Sequence, residues 1–194
     1  MTLSNNETKL NLYEAVNISS ETESALIEKL SNADHRYLKD LKINITNVLK
    51  EGNLSAKEIF LTAYAVAINE KNELLKVAFE QLSIKNGATE PELVETLSCV
   101  SLMNANNIYY RFRHFVNKDS YTNAPAGIRM SIMANPILGK EFFELMSLVV
   151  SSINGCEMCV TSHEASVKAH GGTEARIMDA VRLGAILKSF IVLL

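Results

Sequence analysis

The chain has 194 residues, 47% hydrophobic and 21% charged, which is enough to bury a core without disulfide or metal staples and is far from the composition of a disordered chain. Its net charge of −3, with lysine and arginine scattered along the sequence, provides no basic surface for collecting phosphates and argues against a nucleic-acid partner. Three cysteines rule out a complete set of intrachain structural disulfides, so cysteine is present for another reason.

The segment Met1 to Ser20 is polar and acidic where a secretory signal needs a basic start and an apolar stretch, so a cytoplasmic protein is expected. Ser20 followed by Glu23, Ser55 by Glu58 and Thr89 by Glu92 have capping-box spacing and predict three helix starts, the last with Pro91 in its first turn. Apolar residues recur at intervals of three and four through Leu38, Leu41, Ile45 and Val48, through Phe60, Tyr64, Ala67 and Ile68, and through Leu93, Leu97 and Val100. No strand alternation closed by a hairpin turn interrupts them, so the expected class is all-α. The stretch Asn117 to Pro136, with Pro125-Ala126-Gly127 and Asn135-Pro136, reads as a connection with turns. No apolar run reaches the roughly 18 residues of a membrane span. The tail Ile186 to Leu194, broken by Lys188, reads as a core or interface helix.

The chain also resembles itself. Asn86-Gly87-Ala88-Thr89-Glu90 aligns with His170-Gly171-Gly172-Thr173-Glu174 at an offset of 84, and Ile68-Asn69 aligns with Ile153-Asn154 at an offset of 85. The expectation is one domain over 1–194 containing a duplicated helical unit with a one-residue slip. A non-catalytic half covers about 38–116 and a catalytic half about 136–194. Lys71 or Asn72, and Leu74 or Leu75, stand in the first half where the second has Cys156 and Cys159.

Chemistry concentrates in Ile153-Asn154-Gly155-Cys156-Glu157-Met158-Cys159-Val160-Thr161-Ser162-His163-Glu164. Asn154 reads as an N-cap and Gly155 as the turn into a helix, which places Cys156 in the first turn, where the helix dipole favours a thiolate. Cys156, Cys159 and His163 then form one stripe with the imidazole one turn beyond Cys159. That is what a thiol nucleophile needs: a base for its proton and a second thiol that can resolve a sulfenic acid into a disulfide. Upstream, Glu144 flanks a stripe of Leu145, Leu148, Val149 and Ser152, and its natural partner is His163. Two other readings stand beside this one. A zinc site could use Cys156, Cys159 and His163, with His170 or Glu144 as the fourth ligand, or the cysteines could simply be packed in a core. Cys99 reads as a packed core thiol, His170 as a helix C-cap, Arg111 and Arg113 as salt-bridge or subunit-contact residues, and Met130-Ser131-Ile132-Met133 as core or interface.

These residues resemble the alkyl hydroperoxide reductase D family of the carboxymuconolactone-decarboxylase-like superfamily. The likeness runs from about Leu38 to the C-terminus and is densest in Asn106-Asn107-Ile108-Tyr109-Tyr110-Arg111, Gly127-Ile128-Arg129-Met130, Ala134-Asn135-Pro136 and Glu144 through Glu164. Glu144, Cys156, Cys159 and His163 match the family's Glu, Cys-x-x-Cys and His spacing in full. The resemblance implies an all-helical fold, assembly as a homotrimer or a multiple of it, and reduction of alkyl hydroperoxides with no bound cofactor. It implies electrons from the dihydrolipoyl group of a lipoylated dehydrogenase subunit, and a two-cysteine peroxiredoxin as a partner to be re-reduced. Cys159 would be the peroxidatic residue, Cys156 the resolving one, and Glu144 with His163 the proton relay. Several members carry a second histidine directly before the peroxidatic cysteine where this chain has Met158, which shifts weight from direct peroxide reduction towards thiol exchange. The alternatives carried forward are a decarboxylase of the same superfamily and a zinc-binding or redox-sensing interaction protein.

Overall fold

The computed structural model describes residues 5–194; residues 1–4, at the head of the polar Met1–Ser20 segment, lie outside the described residues. Among the described residues the regular structure is entirely helical, as expected: α1 Asn5–Ala15, α2 Ala25–Asn32, α3 Tyr37–Val48, α4 Ala56–Asn69, α5 Glu73–Lys85, α6 Glu90–Val116, α7 Asp119–Thr122, a 3-10 turn Ser131–Met133, α8 Lys140–Ile153, α9 Glu157–Ala169 and α10 Glu174–Ile191.

Two of these helices are buried on all sides, and the sequence shows why. Positions 61–67 of α4 and 142–151 of α8 carry a single charged residue, Glu144, and all of them are buried. A helix that is apolar around its whole circumference belongs at the centre of a fold. α4 and α8 pack on each other there, α5 folds back on α4 and α9 on α8, α10 lies against α3, α4 and α8, and α6 crosses α4, α8 and α9. One continuous core runs from Leu12 to Phe190. Each fully buried large side chain in it, such as Phe79, Phe143 or Phe190, contributes about 1.5–3 kcal/mol.

Two of the three expected helix starts stand where the capping spacing put them. The Glu58 carboxylate accepts from the Ser55 amide at 2.9 Å, and that of Glu92 from the Thr89 amide at 2.7 Å. Ser20 caps nothing and lies in a turn. The cap of α2 is Ser24, whose hydroxyl accepts from the Ile27 amide at 3.2 Å and donates to the Leu193 carbonyl. The tail therefore packs inward: Leu187 and Phe190 are fully buried, while Ile191, Leu193 and Leu194 lie half-buried against the core.

The bounds of α4 and α5 recur in α8 and α9 exactly as sequence offsets of 84 at both ends of each helix, and the start of α6 recurs in α10 at the same offset. These bounds carry no one-residue slip; at the offset of 84 the positions corresponding to Cys156 and Cys159 are Asn72 and Leu75. The connection between α6 and α8 is pinned by Glu95, whose buried carboxylate accepts from the Ile137 and Leu138 amides at 2.8 and 2.6 Å. Arg176 of α10 bridges the two central helices through Glu58 and Glu141. Among the described residues no helix is long and apolar enough to cross a membrane.

Candidate active site

The turn between α8 and α9 is built differently from the sequence expectation. Asn154 closes α8 as its C-cap, Gly155 adopts φ +70, and Cys156 is the N-cap of α9. The Gly155 amide donates to Ser152 O at 3.2 Å and the Cys156 amide to Ser151 O at 3.1 Å, the paired bonds of a Schellman ending that requires a left-handed residue at Gly155. Asn-Gly marks the end of one helix here rather than the start of the next. Cys156 therefore lies outside the first turn, and Cys159 lies in it, where the positive end of the dipole favours an anionic sulfur.

A polar ladder holds this turn. Arg111 donates to Asn154 O at 2.6 Å, the Asn154 amide to Asn107 Oδ1 at 2.9 Å, and the Asn107 amide to the Ser151 hydroxyl at 2.8 Å. Arg111 thus serves a helix C-terminus instead of a salt bridge, and Arg113 likewise donates to the carbonyls of Thr122 and Ala124.

Cys156 and Cys159 are joined by a disulfide with a Cα–Cα distance of 5.3 Å. Cys156 is fully buried, whereas Cys159, 6% exposed, lines a cavity of about 380 Å³. Of the two cysteines, Cys159 is the one that lines a space where a substrate could sit. His163 lines the same cavity one turn further along α9. Its Nδ1 lies 2.6 Å from Glu144 Oε2, while Lys140 Nζ lies 2.7 Å from Glu144 Oε1 and donates to Met133 O at 2.6 Å. Burial pushes the Glu144 carboxyl up, but the hydrogen bonds and charges of His163 and Lys140 outweigh it and hold the group below the ordinary glutamate value. An ionised Glu144 accepts the Nδ1 proton and fixes the imidazole tautomer, which leaves Nε2 as the nitrogen able to take or give a proton.

The structure thus brings Glu144, Cys159 and His163 together, with Cys156 behind Cys159. Lys140 is the residue that sequence reasoning missed, although its i,i+4 spacing to Glu144 was a usable signal. Asn106, Tyr110, Met130, Met133, Met158 and Ser162 complete the cavity wall. Ile132 and Met133 pack against the core, as expected, and Met133 also lines the cavity with Met130, which no local pattern announces. Cys99 is fully buried, 3.4 Å from the Ser147 hydroxyl, and burial pushes its thiol up to about 12. His170 closes α9 with Nδ1 2.8 Å from Ser166 O. Among the described residues no group of three or more His, Cys, Asp or Glu side chains is arranged to hold a metal ion.

Residues 120–191, which include Lys140, Glu144, Cys156, Cys159 and His163, match the carboxymuconolactone decarboxylase family. Over a longer span the chain is 40% identical to the alkyl hydroperoxide reductase AhpD of Anaeromyxobacter sp. (strain K), covering 84% of this chain and 87% of that one. It is 36% identical to the AhpD of Maricaulis maris (strain MCS10), with 84% and 94% covered. It is 39% identical to that of Coxiella burnetii (strain RSA 493 / Nine Mile phase I), with 78% and 86% covered. At that identity over most of both chains, this protein belongs to the AhpD family within the carboxymuconolactone decarboxylase-like superfamily.

Proposed function

We propose that the protein is a thiol peroxidase and disulfide reductase that reduces alkyl hydroperoxides with electrons from the dihydrolipoyl group of a partner protein. The observation that carries this reading is the buried Glu144–His163 pair, at 2.6 Å, beside the one cysteine of the Cys156–Cys159 couple that lines the cavity. The names of the AhpD relatives support hydroperoxides as the substrate class.

In the reduced protein His163 Nε2 takes the Cys159 proton, and Glu144 stabilises the resulting imidazolium, a contribution of roughly 10²–10⁴ in rate for a well-placed general base. The thiolate attacks the terminal peroxide oxygen; an S–O bond forms, the O–O bond breaks, and the alkoxide leaves as an alcohol with the proton from His163. Cys156 then attacks the Cys159 sulfenic acid, expelling water and closing the disulfide. A dihydrolipoyl dithiol returns two electrons by thiol–disulfide exchange and leaves as the cyclic disulfide. The same exchange would serve a two-cysteine peroxiredoxin, and Met158 before Cys159 favours that branch. We further propose that the functional unit is a cytoplasmic homotrimer or multiple of it, each subunit being one domain of two similar helical halves. The matching bounds of α4–α5 and α8–α9 support the two halves.

The test is hydroperoxide consumption by the purified protein with dihydrolipoamide as reductant and glutathione as control donor. Turnover that needs dihydrolipoamide and is abolished in Cys159→Ser is expected. Turnover that survives Cys159→Ser sinks the mechanism, and activity indifferent to thiol alkylation favours the superfamily's decarboxylase chemistry instead.

A further inference from the structure

One buried amide in the cavity wall is left without adequate partners. Asn106, on α6, is 4% exposed, and its Oδ1 has no hydrogen-bond partner among the described residues. Its Nδ2 reaches only the thioether of Met130, at 3.3 Å, a weak acceptor. Whichever way this amide is turned, one end meets sulfur and the other meets nothing. Buried polar groups are seldom left so, because the missing bond is paid for in stability. The neighbouring amides on α6 contrast with it: Asn104 Nδ2 donates to Asn69 Oδ1 and Val100 O, and Asn107 donates to the Ser151 hydroxyl while its Oδ1 accepts from Asn154. Asn106 shares its cavity with Cys159 and His163, and is contributed by the half of the chain that lacks the cysteine pair.

We infer that Asn106 is the substrate-binding residue of the cavity, its side-chain amide gripping the hydroperoxide group itself. This rests on the peroxidase reading above. A primary amide presents both functions that a hydroperoxide requires: Oδ1 accepts the O–H of the terminal oxygen, and Nδ2, exchanging a thioether for an oxygen acceptor, donates to the inner oxygen. The inner oxygen is the one that gains negative charge as the O–O bond breaks, so the second bond strengthens in the transition state. Cys159 attacks the terminal oxygen, and the proton carried by His163 goes to the leaving alkoxide. Asn106 transfers no proton and no electrons; it orients the bond that breaks.

The experiment compares wild type with Asn106→Leu, which keeps the branched shape of the side chain and deletes the amide. Reduced protein is mixed with cumene hydroperoxide, and the rate of Cys159 oxidation is measured in a single turnover. The rate of Cys159 alkylation by iodoacetamide, and that of disulfide reduction by dihydrolipoamide, are measured on the same samples. Oxidation about tenfold or more slower, the effect of one or two lost hydrogen bonds, with both other rates within about twofold, is the expected result; alkylation reads the reactivity of the thiol and does not depend on gripping a peroxide. Equal oxidation rates in the variant and wild type overturn the assignment, and so does a parallel fall in alkylation, which marks a structural role. Wild-type protein that alkylates and exchanges disulfides normally yet is inert to cumene hydroperoxide refutes the peroxidase reading itself, and this assignment with it. If Asn106→Leu lowers the thermal midpoint, Asn106→Ala carries the same comparison without added apolar volume.

Discussion

Glu144→Gln isolates the proton relay. The carboxylate, 3% exposed, accepts from His163 at 2.6 Å and from Lys140 at 2.7 Å. An amide of the same shape can accept from only one of them and presents an NH2 to the other. Losing one charge-assisted bond and the charge that Lys140 faces destabilises the fold by about 2–4 kcal/mol. The kinetic effect is larger. If the new NH2 donates to Nδ1, the imidazole proton moves to Nε2 and blocks the nitrogen that serves Cys159, so the base contribution of roughly 10²–10⁴ is lost near pH 7. The thiol is then deprotonated by solvent alone, and the variant's rate climbs towards wild type as pH approaches about 8.5–9, the range of an unassisted thiol. Stopped-flow oxidation of the reduced protein between pH 6 and about pH 9.5 separates the two curves. A Glu144→Gln rate within threefold of wild type at neutral pH, with the same pH profile, would refute the relay. Stability follows the same group: the Glu144 carboxyl titrates below its ordinary value of 4.5 in the fold. The advantage of wild type over Glu144→Gln is therefore complete above that pH and disappears as pH falls through the folded value, which urea unfolding at neutral and acid pH measures.

Arg176→Met leaves Glu58 and Glu141 facing each other without the guanidinium that joins α4, α8 and α10; a loss of about 2–3 kcal/mol in urea unfolding at neutral pH is expected. Because Glu58 is also held below its ordinary value, against burial, by Arg176 and Ser55, the loss shrinks in acid, and an unchanged midpoint at neutral pH would contradict the bridge. Gly184→Ala puts a Cβ 2.7 Å from Val149 Cγ1 where α10 crosses α8, and a decrease of about 1–3 kcal/mol in thermal unfolding is expected, where an equal or higher midpoint would show that the helices can separate freely. Cys99 remains unlabelled by iodoacetamide in the native protein at about pH 8, since burial pushes its thiol up to about 12; mass spectrometry finding native-state label on Cys99 would contradict its inert assignment.

What could be read from the sequence was local. The caps at Ser55 and Thr89 lie within three residues of their partners, and the Glu144, Cys156, Cys159 and His163 spacing follows one helical pair. Ser20 misled because the true cap, Ser24, is held by the Leu193 carbonyl 169 residues away, a contact absent from any local pattern. Asn154-Gly155 misled because the pair fits either helix end, and the choice is made by Arg111 and Asn107 arriving from α6. The cavity was invisible for the same reason: α6 supplies Asn106 and Tyr110, and the connection to α8 supplies Met130 and Met133. Their meeting depends on Glu95 pinning that connection.

The central claim is that Cys159, and not Cys156, is the sulfur that meets the peroxide. It is tested most directly by treating reduced Cys156→Ser with one equivalent of cumene hydroperoxide in the presence of dimedone and locating the adduct by peptide mass spectrometry. The account predicts a single dimedone adduct on Cys159, and none in Cys159→Ser. An adduct on Cys156 in Cys159→Ser, with Cys159 unmodified in Cys156→Ser, would contradict it.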